Sequence, residues 1–328
     1  MSLSFIPKLS SREVEQIVAD EHSHDLAMLA WPDSVKHVSA SSLKTFVACP
    51  EQYRRRYLLG QKRPPSAALV WGRADHKAAE HNYRQKLTSG IDVAEGEIVD
   101  AFHANVEQTV EETGGAQELD WSSPKDQSSS KRERAATVDD IHARGEKMAV
   151  AYHRLAAPTV QPVAVEERFE VTVAGVPVPL VGYVDLIAEP VGVDPLVAVS
   201  LGVDVPEPGP RIIDKKGVAK RLERVDPEMS FQGAIYQLAR WLPHDWHISV
   251  KTKAPYVLVG LPGLTIEATD ERKAWVERAI RSLLNELGEC YVKYGAHEPW
   301  PATRALLHSW RCQYCGYEPD CAWRKGAA

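Results

Sequence analysis

Two carboxylates and a lysine carry the sharpest chemical signal in this chain: Asp185 closing Gly182–Tyr183–Val184–Asp185, and Asp214 followed by Lys215 and Lys216. Carboxylates hold hard divalent cations, and a lysine beside them adds a compact positive charge. That combination suits metal-assisted cleavage of a phosphodiester. Arg211–Ile212–Ile213 leads into Asp214 as a β-branched run, and Val181 to Ile187 reads as another strand. Side chains two apart on a strand share a face, so Asp214 and Lys216 point the same way. A neighbouring strand then brings Asp185 beside them. The same spacing also suits a plain ion pair at a strand end, because a D-x-K triplet is common by chance.

Other residues strengthen one reading or the other. His76 lies four before Glu80 on an expected helix, which puts both on one face, and Gln232 and Tyr236 repeat that spacing on a later helix. Taken singly, each also fits ordinary packing or a solvated face. Cys312, Cys315 and Cys321 crowd a short aromatic-rich tail, a spacing that points to metal binding. The usual second CxxC is missing. Cys290 falls on the apolar stripe of Leu283, Leu287 and Tyr294 and reads as a core thiol, whereas Cys49 precedes Pro50 and so caps a helix N-terminus. A thiol there is expected to have a lowered pKa, which makes Cys49 the fourth ligand.

These groups need a scaffold. The 328 residues can bury a sizeable core, and five cysteines with no signal-peptide profile suggest a reducing, cytoplasmic setting. No apolar run is long enough for a membrane span. A net charge of −6 excludes a general basic coat, so any DNA contact must be focal. Two basic runs qualify: Arg54, Arg55, Arg56, Lys62, Arg63 and Arg73, then Arg211, Lys215, Lys216, Lys220, Arg221 and Arg224 around Asp214. Periodicity predicts a helical leader over 1–37, with a capping box at Ser10 and Glu13. Helices follow around Leu43–Val47, Tyr53–Tyr57, 73–86, 93–112 and 138–155. A Gly/Ser-rich loop covers 113–134. A hairpin over 163–187 turns at Ala174–Gly175, a proline-rich insertion over 190–210 holds a short strand at 196–201, and a helix spans 229–241. Strand material at 255–266 and a long helix at 270–294 complete the pattern.

In this order, the residues resemble the RecB-type branch of the PD-(D/E)xK nuclease superfamily, especially its iron–sulfur members. Those include the AddB nuclease domain and small CRISPR-associated RecB-like exonucleases. The matching pieces run from Ser39–Leu43 through Cys49–Pro50 and Tyr57, then Gly72–His76, Gly182–Asp185, Asp214–Lys216 and Gln232–Tyr236. The resemblance implies an α/β, restriction-endonuclease-like core: a central mixed sheet flanked by helices, with an N-terminal helical region and a C-terminal cysteine-ligated lobe. The corresponding divisions are a leader at 1–37, a helical region at 38–160, the nuclease core at 161–300 and a tail at 301–328 that joins Cys49. It further implies that His76, Asp185, Asp214 and the carbonyl of Lys215 hold Mg2+ or Mn2+, and that Lys216 serves the attacking water. Gln232 and Tyr236 would support that site. Cys49, Cys312, Cys315 and Cys321 would carry a [4Fe–4S] cluster that staples the fold. Lys215, in the middle of the D-x-K, competes with Lys216 for the catalytic place. The expected activity is exonuclease action on single-stranded DNA or DNA ends. No phosphate-binding G-x-x-x-x-G-K-[ST] occurs, so a helicase or recombination partner would be a separate protein. Two rivals stand beside this: an inactive DNA-binding or assembly module of the same fold, and a zinc-binding structural protein.

Overall fold

The computed structural model describes residues 31, 34–121, 137–173, 176–191, 209–218, 227–250, 256–258, 266–302, 312, 315–317, 320, 321 and 323. The leader helix expected at Ser10–Val18, residues 122–134 of the expected loop, the Ala174–Gly175 turn and the strand expected at 196–201 lie outside them.

Seven α-helices and five strands are described. α1 (Ala40–Ala48) starts at a capping box in which Ser39 and Ser42 satisfy each other's backbone N–H groups. Cys49 is extended, and Pro50 takes the first position of α2 (Pro50–Tyr53), which runs on as a π-helical turn, Arg54–Leu58. α3 (Ala67–Ser89) is opened by the Ser66 side chain and closed by Gly90 in the left-handed region, where glycine carries no Cβ penalty. α4 (Glu95–Thr113) and α5 (Val138–Leu155) follow. Then come β1 (Val160–Val171), β2 (Leu180–Pro190), β3 (Arg211–Val218), α6 (Pro227–Ala239), β4 (His244–Val250), β5 (Tyr256–Leu258) and α7 (Asp270–Tyr294).

The strands form one mixed sheet in chain order, antiparallel except where β3 and β4 run parallel. A parallel neighbour needs a crossover, and α6 supplies it. On one face Val184, Ile187 and Ile212 bury against Phe46 of α1, Ile235 of α6, and Ile280 and Leu284 of α7. On the other, Leu186, Ala188 and Ile213 meet Tyr83 of α3 and Tyr152 of α5. Each such side chain taken from water contributes about 1.5–3 kcal/mol. Beyond that face α3, α4 and α5 share a further core around Val70, Phe102, Ile141 and Met148. Gly145 makes this closeness possible: a Cβ there would stand 1.9 Å from Phe102 Cζ.

The sheet–helix architecture is the one expected. β4 is not; the sequence reading placed no strand over 244–250. Its residues His244, Asp245, His247 and Ser249 are polar yet buried, which hides the strand from any apolar pattern. Buried partners make this tolerable for two of the four: Arg211 pairs with Asp245 at 2.6 Å, and Tyr152 Oη meets His247 Nδ1 at 2.9 Å. Of the strand material expected at 255–266, the described parts are β5 and a bridge from Ile266 to His244. Among the described residues no helix is long and apolar enough to cross a membrane.

Candidate active site

The site opens where two strands part. The β2–β3 ladder runs from Ala188↔Arg211 to Leu186↔Ile213 and stops, while β3 stays paired with β4 as far as Val218↔Val250. The next pair in the lost register would be Asp185 and Asp214. α3 carries His76 to the same place, with Nδ1 3.1 Å from Asp185 Oδ2. One ligand atom each from His76, Asp185 and Asp214 lies within 4.8 Å of the others, the single such group of three among the described residues.

Asp214 is wholly buried, and neither of its oxygens accepts a hydrogen bond. Lys216 Nζ stands 2.9 Å from Oδ1, close in distance but outside hydrogen-bond geometry. Burial pushes the Asp214 carboxyl up; Lys216 opposes this, and the charge of Asp185 adds to it. Burial also works against ionisation of Asp185, but the His76 hydrogen bond and charge, helped by Lys216, hold that carboxyl below its usual range. Burial opposes charge on His76 as well, and Asp185 overrides it and raises the imidazole. Two carboxylates and an imidazole, with buried oxygens left unsatisfied, fit a hard divalent cation, the imidazole favouring manganese somewhat.

Lys215 faces the other way. Its ammonium is 2.6 Å from Asp75 Oδ1 and lies over the Tyr152 ring at 3.8 Å. Tyr152 Oη in turn meets His247 Nδ1 and Tyr83 Oη, both at 2.9 Å. Alternation along β3 therefore separates the two lysines: the side chain beside Asp214 is that of Lys216. On α6 Gln232 donates to Tyr236 Oη at 2.9 Å. Burial, then the charges of Asp185 and Asp214, push the Tyr236 hydroxyl well up, so it stays protonated and able to donate.

Sequence reasoning passed over Asp75 and Glu166. Asp75 had no signal beyond preceding His76. Glu166 stands on β1 between the pairs Val165↔Leu186 and Glu167↔Val184, hence opposite Asp185. Its φ is 51°, the one positive value at a non-glycine among the described residues. That conformation costs roughly 1–2 kcal/mol. Glu166 lines a small cavity with His76, Glu80 and Asp185. Glu80, on the His76 face, is engaged by Lys77 and Arg84.

The four cysteines singled out in the sequence act on one another electrostatically: Cys315 and Cys321 on Cys49, and Cys321 and Cys312 on Cys315. One expectation is corrected here. Burial drives the Cys49 thiol up to about 11 and outweighs the N–H donors of Gln52 and Glu51 at the helix start. The first basic run is also partly spent on the fold. Arg54 is buried on Glu51 at 2.8 and 2.7 Å, Arg55 joins them at 2.8 Å, and Glu51 also accepts the Trp300 N–H at 2.8 Å. Arg55 and Arg63 sit over the Tyr317 ring, and Arg55 also donates to the Asp320 carbonyl at 2.8 Å. These contacts tie the tail to α2.

Residues 37–199 match the family described as the PD-(D/E)XK nuclease superfamily. The matched segment includes His76 and Asp185 and ends before β3. A crystal structure of a protein from Eubacterium rectale, provisionally named an exonuclease, aligns with a TM-score of 0.46 and 15% identity, covering 96% of this chain and 93% of that one. No curated protein matches the sequence.

Proposed function

We propose that this PD-(D/E)XK-type domain is a metal-dependent deoxyribonuclease acting on single-stranded DNA or DNA ends, as an exonuclease. One observation carries the reading: His76, Asp185 and Asp214 converge within 4.8 Å while both oxygens of the buried Asp214 stay unsatisfied. His76, Asp185 and Asp214 hold Mg2+ or Mn2+, with the Lys215 carbonyl as a further donor. A cation so bound polarises a phosphoryl oxygen and makes a water more acidic. Lys216, anchored by Asp214, orients that water and offsets charge developing on the phosphate. Gln232 and Tyr236 donate hydrogen bonds from α6, to the site or to the strand being cut.

Cys49, Cys312, Cys315 and Cys321 hold a [4Fe–4S] cluster in this reading, as a staple between α2 and the tail. The electrostatic reach of Cys315 and Cys321 on Cys49, and of Cys321 and Cys312 on Cys315, supports one shared group.

The test is cleavage of end-labelled and circular DNA by anaerobically purified wild type and Asp214→Ala, with Mn2+ and with chelator. Wild type should degrade linear DNA and spare circles, and the variant should lose at least about 10²-fold in rate. Equal cleavage by both removes the catalytic assignment. Inert wild type would favour a binding module, and colourless protein with stoichiometric zinc would favour a structural role.

A further inference from the structure

Glu166 is the residue of this region that the fold does least to justify. A mid-strand glutamate held at φ 51° interrupts the β1–β2 ladder at the one position facing Asp185. Such a conformation persists when something else demands it, and functional sites are where such demands cluster. Here the turn of the backbone places the carboxylate in the cavity that His76 and Asp185 line. The carboxylate is half-buried and feels the charges of Asp185, Glu80, Lys77 and His76. No hydrogen bond or ion pair to it exists among the described residues. Glu80, its acidic neighbour, is by contrast fully engaged by Lys77 and Arg84. Nor does Glu166 belong to the close group: its oxygens are not within 4.8 Å of all three of His76, Asp185 and Asp214. The small cavity that Glu166 shares with His76 and Asp185 can take one water between its carboxylate and an ion held by the three.

We infer that Glu166 is a further residue of the metal centre, accepting a hydrogen bond from a water carried by the cation on its Asp185 side. This rests on the metal-dependent reading above. The role explains at once why a charged residue occupies a position that glycine or asparagine would fill with less strain, and why its carboxylate has no partner among the described residues. Partners one water away from an ion typically change metal affinity or activity 10–100-fold.

The experiment measures Mn2+ affinity of the full chain by EPR, and thermal melting in chelator, for wild type, Glu166→Gln, Glu166→Gly and Asp214→Asn. Glu166→Gln should bind Mn2+ roughly 10-fold or more weakly with its metal-free melting unchanged. Glu166→Gly relieves the backbone, so it should melt higher without metal and still bind Mn2+ as weakly as Glu166→Gln. Wild-type affinity in both Glu166 variants, with Asp214→Asn losing it, would assign Glu166 to the bulge alone and overturn the inference while the site stands. Wild type that binds no Mn2+ would overturn the reading of the whole site and this inference with it.

Discussion

The two faces of β3 carry the same chemistry to opposite ends. On one, Lys215 and Asp75 form a sealed pair at 2.6 Å, roofed by the Tyr152 ring and backed by His247. On the other, Lys216 stands 2.9 Å from Asp214 Oδ1 as an ion pair, while neither carboxylate oxygen has a hydrogen bond of good geometry and Oδ2 has no partner among the described residues. A buried ion pair whose needs are met inside the protein is scaffold. One whose needs are unmet is a socket for something that is not protein. The sealed pair also serves the socket, because Asp75 adjoins His76 on α3 and Lys215 lies between Asp214 and Lys216, so the pair clamps helix to strand.

Single substitutions should split the faces. Lys215→Met leaves Asp75 buried and alone, and should cost about 3–5 kcal/mol of stability by denaturant titration. Lys216→Met should lower the cleavage rate about 10²–10⁴-fold, and its stability cost should shrink when Mn2+ replaces the lost charge beside Asp214, as that of Lys215→Met should not. Identical stability losses for the two with Mn2+ present would erase the distinction. Mn2+ offers a gentler probe: at a hundredfold excess over its Kd it should stabilise wild type by about 2.7 kcal/mol. A Lys215→Met/Asp75→Leu protein should gain as much, and Asp214→Asn should gain almost nothing.

The smallest effect belongs to His247, whose imidazole burial, with the Lys215 charge adding, lowers from about 6.5 to about 3. The unfolded chain takes up this proton first, so stability falls as pH drops below about 6.5 towards 3. At pH 5.5 the loss from this group is about 1.4 kcal/mol, and Glu or Asp titration contributes little so far above the carboxylate range. His247→Gln should roughly halve the fall in melting temperature between pH 7 and 5.5, because buried His244 is also lowered to about 3 and supplies the rest; an unchanged slope would mean the sealed face is wetter than its geometry implies.

The sequence showed one face of β3 far better than the other. Period-two alternation was enough to set Asp214 and Lys216 side by side, and the same rule, pressed one residue further, sends Lys215 away from them. Asp75 was invisible because its partner lies 140 positions on, and nothing local distinguishes a helix aspartate that meets a buried lysine from one that meets water. β4 escaped because its polar residues, ordinarily a sign of exposure, are buried, Asp245 and His247 on partners from β3 and α5. Glu166 was hidden for a different reason: side-chain identity ordinarily forecasts backbone angles, and there the forecast fails. The sheet, α3, α6 and α7 were legible because their apolar faces repeat with the right period.

Glu51 has a bearing on how the polypeptide is made. Its carboxylate accepts the main-chain N–H of Trp300, 249 residues downstream, and Trp323 then donates to the Trp300 carbonyl at 2.6 Å. At roughly 5–20 residues per second, a ribosome needs on the order of 10–50 s to deliver that partner. The seam between the early helices and this distant segment therefore cannot close until those residues are made. It is a latch thrown late, and a nascent chain must keep its first lobe ajar until then.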